Sequence, residues 1–209
     1  MPDTTTLTLP VLPLEAGVVG PGMVVTIAVE SDEARIAADQ ALGTDGTGRL
    51  LLVPRVDGRF ATVGTIAKIE DVGDLPGGRR ALVVRGITRA VIGGGVAGEG
   101  LWVEAEPVAE AAPPSDETHA LVREYRATME AILDRRGAGR LAEGLRGIRD
   151  PGAIADTAFY SPDLSLEQKV ELLEAVDVET RLRLALQWAK DTLADLSVRD
   201  DIDRSVADK

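Results

Sequence analysis

The chain contains a spacing of glycines that in other proteins binds the phosphates of a dinucleotide. Gly93, Gly95 and Gly98 satisfy the pattern G-x-G-x-x-G. A dinucleotide site also requires a helix directly after these glycines, because the amino end of that helix receives the pyrophosphate. Here Leu101–Val103 begins another apolar, strand-like run. We therefore interpret the glycines as a flexible loop and predict no cofactor-binding residues.

Other groups that could carry chemistry are sparse. The single histidine, His119, has no nearby serine or cysteine partner, and we expect it to have a surface or packing role. The chain contains no cysteine, no G-x-S-x-G elbow and no G-x-x-x-x-G-K-[ST] loop. Adjacent carboxylates such as Glu70 and Asp71 diverge, so we interpret them as solvated charge. We predict no catalytic and no metal-binding residues.

The charge of the chain argues against nucleic acid as a partner. Its 23 basic and 35 acidic residues give a net charge of −12 at pH 7. Binding to phosphates depends on clustered lysine and arginine, since counterion release supplies most of the non-specific affinity. One cluster occurs on a predicted hairpin, and we interpret it as a solvated face that protects a strand from edge pairing. It consists of Arg79, Arg80, Arg85 and Arg89.

The first half of the sequence is typical of short β-strands separated by turns. The segment Leu75–Arg80 predicts a tight hairpin turn, with Gly77 and Gly78 at positive φ. One helix is predicted between Ser31, its N-cap, and Gly43. The predicted strands are Leu7–Leu14, Met23–Val29, Arg49–Pro54, Val63–Val72, Ala81–Ile92 and Trp102–Val108.

The strand Ala81–Ile92 has a clear alternation. Its even-numbered residues are predicted to face the core, which places Arg85 and Arg89 on the outer face. Gly86 interrupts the apolar face and is a candidate for a β-bulge or for the close approach of another backbone.

A proline pair, Pro113-Pro114, marks the change to helical periodicity. Ser115 is predicted to cap the next helix, and Asp150 followed by Pro151 to open a later one. The capping box Ser165–Gln168 predicts a further helix. We predict a β-rich subdomain at residues 1–110, a linker at 111–116 and a helical subdomain at 117–209.

The last predicted helix is unusually long. No glycine or proline occurs from Asp177, its N-cap, to Lys209, so the helix can exceed 30 residues and extend about 50 Å. Periodicity leaves two explanations open. The end of the chain is either a frayed acidic tail or part of a helix that continues in a larger protein.

Taken together, these segments resemble the amino-terminal region of Lon, the ATP-dependent serine protease. Leu9–Leu14 and Pro21–Met23 resemble its opening Leu-Pro pattern and Pro-x-Met corner, and Val63–Ala67 its Val-Gly-Thr strand. The turn Leu75–Gly78, the strand Val83–Ile92 and the helical segments Ile148–Thr157 and Gln168–Arg183 are similar as well. The chain departs from the family at Gly20, Glu15-Ala16 and Thr26, where an aromatic residue, Arg-Asp and proline are usual.

The resemblance implies an α+β fold. We expect a PUA-like β pseudobarrel of about six strands and one helix, followed by a helical bundle that ends in a long helix. It also implies a non-catalytic domain for substrate recognition and assembly in a protease that degrades misfolded and short-lived regulatory proteins. The parent enzyme would be a cytoplasmic hexamer that uses ATP and Mg and a Ser–Lys dyad outside this chain. The preferred explanation of the last helix is then that it continues towards the ATPase.

A recognition domain of this kind needs an apolar groove or an available strand edge for unfolded or degron-bearing clients. We predict that clients contact Pro21, Met23, Val24 and Val25, because methionine is adaptable and the flanking loop is too rich in glycine to be well buried. The alternative is that Met23–Val29 is an ordinary core strand.

Two other functions remain open from the sequence. The chain can be a free-standing adaptor or scaffold, or a PUA-like nucleic-acid-binding module, which the negative charge disfavours. The sequence contains no run of 18 apolar residues and no basic segment followed by an apolar core at its start. We therefore expect a cytoplasmic location and no membrane partner.

Overall fold

Most of the β-strands begin and end close to the positions that the sequence predicts. The structure is a computed structural model and describes residues 5–43, 46–109 and 113–207, with side chains up to residue 199. The strands are β1 (Leu7–Leu14), β2 (Val24–Ala28), β3 (Arg49–Val56), β4 (Arg59–Phe60), β5 (Val63–Leu75), β6 (Arg79–Val96) and β7 (Trp102–Pro107). The helices are α1 (Asp32–Gly43), α2 (Asp116–Arg135), α3 (Gly139–Gly147), α4 (Pro151–Asp156), α5 (Leu166–Glu174) and α6 (Val178–Ala207), with a short 3₁₀ helix at Thr157–Tyr160.

The chain divides into two compact units, and the division does not follow the sequence order. One unit contains Met1–Glu110 and Leu166–Val176, and the other contains Ala111–Ser165 and Asp177–Lys209. Composition placed all of 117–209 in a helical subdomain, whereas α5 belongs to the sheet unit. Of the predicted linker 111–116, residues 111 and 112 lie outside the described part of the chain, and Asp116 already begins α2.

The sheet unit is built on a ring of strands. The strand order is β1-β7-β6-β5-β3, and the parallel pairing of β1 with β3 closes it; the other ring pairs are antiparallel. The short β4 extends β3, and β2 pairs with the first half of β6. The mixed α and β architecture that was predicted is confirmed, although the described residues form seven strands rather than six. One cluster of the buried core contains Leu9, Val11, Leu51, Val53, Ala61, Ile66, Ala90, Val103 and Ala105.

The prediction that Gly86 allows a bulge and a close approach is confirmed. The β5–β6 register shifts between Ile66–Thr88 and Ala67–Gly86, which leaves Ile87 as the extra residue. A Cβ atom added to Gly86 would lie 2.2 Å from the carbonyl oxygen of Gly20. Only glycine leaves room for that backbone.

The prediction that Arg89 lies on a solvated face is wrong. Its side chain is buried, and its guanidinium donates from Nε to the Leu173 carbonyl at 3.0 Å and from Nη2 to the Leu172 carbonyl at 3.2 Å. These carbonyls belong to the last turn of α5, where intrahelical donors run out and a cation is favoured. Helix α5 therefore supplies partners for the buried Arg89, which the strand alternation does not anticipate.

The other three arginines of the predicted cluster are exposed or half-buried and form ion pairs with acidic side chains. Arg79 pairs with Glu30, Arg80 with Asp39 and Arg85 with Glu70. Their charges are thus compensated within the sheet unit, in agreement with the interpretation of a solvated face for these three residues.

The second unit is a helical bundle in which α2 packs against α6, α3 and α4. The predicted N-caps are present: Ser115 accepts the N–H of Thr118, Asp150 that of Ala153 and Asp177 that of Thr180. Tyr125 is fully buried in α2, and burial raises the pKa of its phenol to about 12. The predicted long helix is α6, which spans 30 residues, and residues 208 and 209 lie outside the described part.

We expect the substitution Gly86→Ala to destabilise the protein by about 2 kcal/mol or more, because the new methyl group overlaps the Gly20 carbonyl. The matched control is Gly94→Ala in the same strand, where an added Cβ has no heavy atom within 4 Å. Chemical denaturation of the two variants measures the difference, and equal stabilities would contradict this account of the close approach.

We expect Arg89→Met to destabilise the protein by about 1–3 kcal/mol, because two buried carbonyls of α5 lose a charged donor. Backbone amides of Leu166–Glu174 should exchange with deuterium faster than in the parent protein. Arg85→Met, which removes only an exposed ion pair with Glu70, is the control and should change stability by less than about 1 kcal/mol. Unchanged exchange in α5 would argue against this anchoring role.

Candidate functional site

The predicted client-binding residues lie where the loop 15–23 enters β2. The loop is held against the sheet by backbone contacts: Gly22 donates its N–H to the Gly86 carbonyl at 2.9 Å. Thr65, which is fully buried, donates its hydroxyl to the Val19 carbonyl at 2.6 Å. Gly22 itself has a φ of +79°, which favours glycine at this corner.

The loop is more buried than its glycine content suggested. Val18 and Val19 are each 7% exposed, and Gly20 is buried. The expectation that this loop is too rich in glycine to be well buried is therefore wrong for residues 18–20, whereas Pro21 is half-buried and Gly22 is exposed. The buried part lies in close backbone contact with Gly86.

Met23 packs inward and does not present its side chain to solvent. It is 9% exposed, and its Sδ atom accepts a hydrogen bond from the Gly20 N–H at 3.2 Å. At this residue the structure favours the alternative interpretation, a core position. Pro21 is half-buried at the corner.

Strand alternation separates Val24 from Val25. Val24 is 46% exposed and pairs with Arg85, which is also exposed, whereas Val25 is half-buried and pairs with Val84, which is fully buried. Paired residues of an antiparallel ladder share a face of the sheet. Of the four predicted residues, Val24 therefore offers the most exposed apolar side chain.

Beside Val24, the same face of the sheet carries charged side chains. Arg85 donates to the Glu70 carboxylate, and this hydrogen bond raises the pKa of the guanidinium. Lys68 is exposed and pairs in register with Arg85 on β5. The exposed side chain of Val24 thus lies beside charged side chains on β5 and β6.

Strand β2 leaves one backbone edge open. Within the described residues it pairs only with β6. At both ends the odd-numbered residues bond to β6: Met23 accepts the N–H of Gly86, and Val29 donates to the carbonyl of Arg80, each at 2.9 Å. Because bonding direction alternates along an antiparallel strand, the even-numbered residues direct their N–H and C=O groups to the open edge. These residues are Val24, Thr26 and Ala28.

A second surface feature was missed from the sequence. The hairpin between β3 and β4 turns at Asp57 and Gly58, which have φ values of +50° and +76°. It presents Phe60, which is 40% exposed, beside a cavity of about 430 Å³. An Asp-Gly pair between two strands is a typical signal of a β-hairpin, and Asp57-Gly58 could therefore have predicted β4 from the sequence.

The glycine motif lies in a β-hairpin. Gly93 and Gly95 are in β6, and Gly98 is in the connection to β7. The element that follows them directly is the strand β7, whereas a dinucleotide site requires the amino end of a helix at that point.

His119 is exposed in the first turn of α2. Within the described part of the chain, no three histidine, aspartate or glutamate side chains are grouped as metal ligands. Over the same residues, no helix combines the length and the hydropathy needed to cross a membrane.

Comparison with known proteins places the chain in one family. The family model of the ATP-dependent protease La (LON) substrate-binding domain matches residues 8–191. Lon protease of Salinispora arenicola is 46% identical over 201 residues, and Lon protease of Mycolicibacterium smegmatis is 44% identical over 201 residues. Each alignment covers 95% of this chain and 25% of the relative, so the chain spans about a quarter of the length of these relatives.

Solved structures give the same relationship. The amino-terminal domain of Lon protease from the Mycobacterium avium complex superposes with a TM-score of 0.81 at 44% sequence identity, and covers 88% of this chain and 99% of its own. The Lon amino-terminal domain protein of Xanthomonas campestris shares the fold, with a TM-score of 0.60 at 24% identity. The matched family model, the two relatives and the shared fold together show that this chain belongs to the LON substrate-binding domain family and corresponds to the amino-terminal domain of Lon protease.

Proposed function

We propose that this domain recognises misfolded and short-lived regulatory proteins for an ATP-dependent Lon protease of the cytoplasm. The observation that carries the proposal is the open edge of β2, with exposed Val24 beside it. An unfolded client exposes extended backbone and apolar side chains, and an open edge can pair with that backbone by strand addition. Other domains of the parent enzyme would unfold the client by ATP hydrolysis and cleave it with a Ser–Lys dyad.

Each contact of this kind is weak. Pairing with an open strand edge adds a few backbone hydrogen bonds, each worth about 0.5–1.5 kcal/mol net. In the proposed hexameric parent, six copies of the domain would raise the capture of a client through effective concentration without any new kind of contact. The domain would also help the ring to assemble.

The four residues predicted from the sequence have different roles in this proposal. Val24 contacts the client, and Pro21 fixes the corner beside it. Met23 and Val25 support the strand from the core side. Polar substitution of Met23 or Val25 would therefore disturb folding as well as binding, and a useful test must change the open edge instead.

Thr26 offers that test, because it is exposed and its N–H points to the open edge. We expect Thr26→Pro to weaken binding of a permanently unfolded model polypeptide by about two- to tenfold, the equivalent of one lost hydrogen bond. Proline at an edge position whose N–H faces solvent is compatible with the strand. Fluorescence anisotropy with labelled, reduced and carboxymethylated α-lactalbumin measures the affinity.

The matched control is Thr26→Ala, which removes the side chain but keeps the backbone donor. It should bind as the parent protein does, while Val24→Asp should bind more weakly because it places a charge in the apolar contact. Thermal unfolding of each variant checks that the fold is retained. If Thr26→Pro and Val24→Asp both retained full affinity, client recognition at β2 would be refuted.

A further inference from the structure

A second groove of the sheet unit lies between the β3–β4 hairpin and helix α5. It encloses about 430 Å³. One wall comes from the hairpin and the other from the helix. The lining residues are Val56, Asp57, Arg59, Phe60, Ala61, Val170 and Glu174.

The base of this groove is apolar and continuous with the core. Ala61 belongs to a buried core cluster, and Val170 of α5 packs against the same cluster. Phe60 remains 40% exposed, and the Arg55 guanidinium lies over its ring at 5.2 Å from the centroid. Arg55 also forms ion pairs with Glu15 and Glu33, so its charge is compensated by these two carboxylates. A large apolar side chain entering here would cover the exposed part of Phe60.

The rim of the groove carries more negative than positive charge. Two carboxylates, Asp57 and Glu174, line it together with the guanidinium of Arg59. Glu174 is oriented by Thr62, whose N–H and hydroxyl donate to Oε1 at 2.8 Å and 3.0 Å. Within the described residues Asp57 forms no ion pair, and the hairpin turn presents its carboxylate to solvent.

This charge decides what kind of segment fits. An acidic segment would meet two carboxylates, in a protein whose net charge is already −12. A basic group would meet both carboxylates at the rim, and the field of the whole protein would favour its approach. The apolar base and the acidic rim therefore suit a large apolar residue that lies next to a lysine or an arginine.

We propose that this groove binds extended client segments in which a large apolar side chain is adjacent to a lysine or arginine. The groove would be a second contact, separate from the open edge of β2. This inference rests on the proposed function, the recognition of unfolded clients by this domain. The edge of β2 would bind the client through backbone hydrogen bonds and would therefore tolerate many sequences. The groove would select clients by their apolar and basic side chains. The two contacts together would favour basic, unfolded polypeptides over acidic ones.

The test uses two labelled peptides of equal length in a Gly-Ser background, one with Phe-Lys pairs and one with Phe-Glu pairs. We expect the 209-residue chain to bind the Phe-Lys peptide more tightly, and Phe60→Ala to weaken that binding by about tenfold through loss of the apolar contact. Asp57→Asn should weaken it by about two- to threefold at low salt and reduce its salt dependence. Asparagine tolerates the positive φ at this position, so the turn is retained.

Leu141→Ala is the control for loss of an exposed apolar side chain, because Leu141 is 65% exposed in the helical unit, and it should leave binding unchanged. Equal affinity for the two peptides, or full affinity in Phe60→Ala, would overturn the groove proposal. Thr26→Pro, measured with the unfolded polypeptide, tests the β2 edge independently. If that variant lost affinity while Phe60→Ala did not, the groove proposal would fail and the proposed function would stand.

Discussion

The position of β2 depends on the contact between the Gly20–Met23 backbone and Gly86. The Gly20 carbonyl occupies the space that any Cβ at position 86 would need, and Gly86 exchanges hydrogen bonds with the backbone of Gly22 and Met23. This contact holds the loop against β6, and directly after it Val24 pairs with Arg85 as the first residue of β2. The inward position of Met23 and the outward position of Val24 both follow from that register. The exposure of Val24 on β2 thus depends on the backbone contact between Gly20 and Gly86.

A second constraint is the buried cation of Arg89. A buried guanidinium is costly unless it is fully paired, and here carbonyls in the last turn of α5 accept its hydrogen bonds. This requirement brings a helix from the second half of the sequence onto the sheet unit. The same helix supplies Val170 and Glu174 to the groove beside Phe60. The anchoring of α5 and the shape of the groove are therefore physically linked.

Much of the fold was predictable because the signals were local. Ser115, Asp150 and Asp177 cap helices as their residue types indicate, and Gly77 and Gly78 have the positive φ that a tight turn requires. The predictions that were wrong concerned burial that depends on tertiary contacts. The burial of Arg89 depends on a helix about 80 positions away, which alternation within one strand cannot report. Likewise, glycine content predicted a poorly buried loop beside Pro21 and Gly22. Gly22 is exposed, but Gly20 is buried, because glycine also permits close backbone packing against Gly86.

Local sequence signals predicted only part of the candidate site. The sequence pointed to the segment 21–25 as a proposed contact but could not separate Val24 from Met23 and Val25, because their orientation depends on pairing with β6. The resemblance to Lon places proline where this chain has Thr26, and this difference has a physical consequence. A threonine leaves an N–H at the open edge, so this chain keeps a donor that proline would remove. Backbone donors bind extended polypeptide with little regard to sequence, whereas a groove with an apolar base and an acidic rim discriminates by side chain. A domain that carries both can combine broad capture with a preference, even though neither contact requires a reactive group.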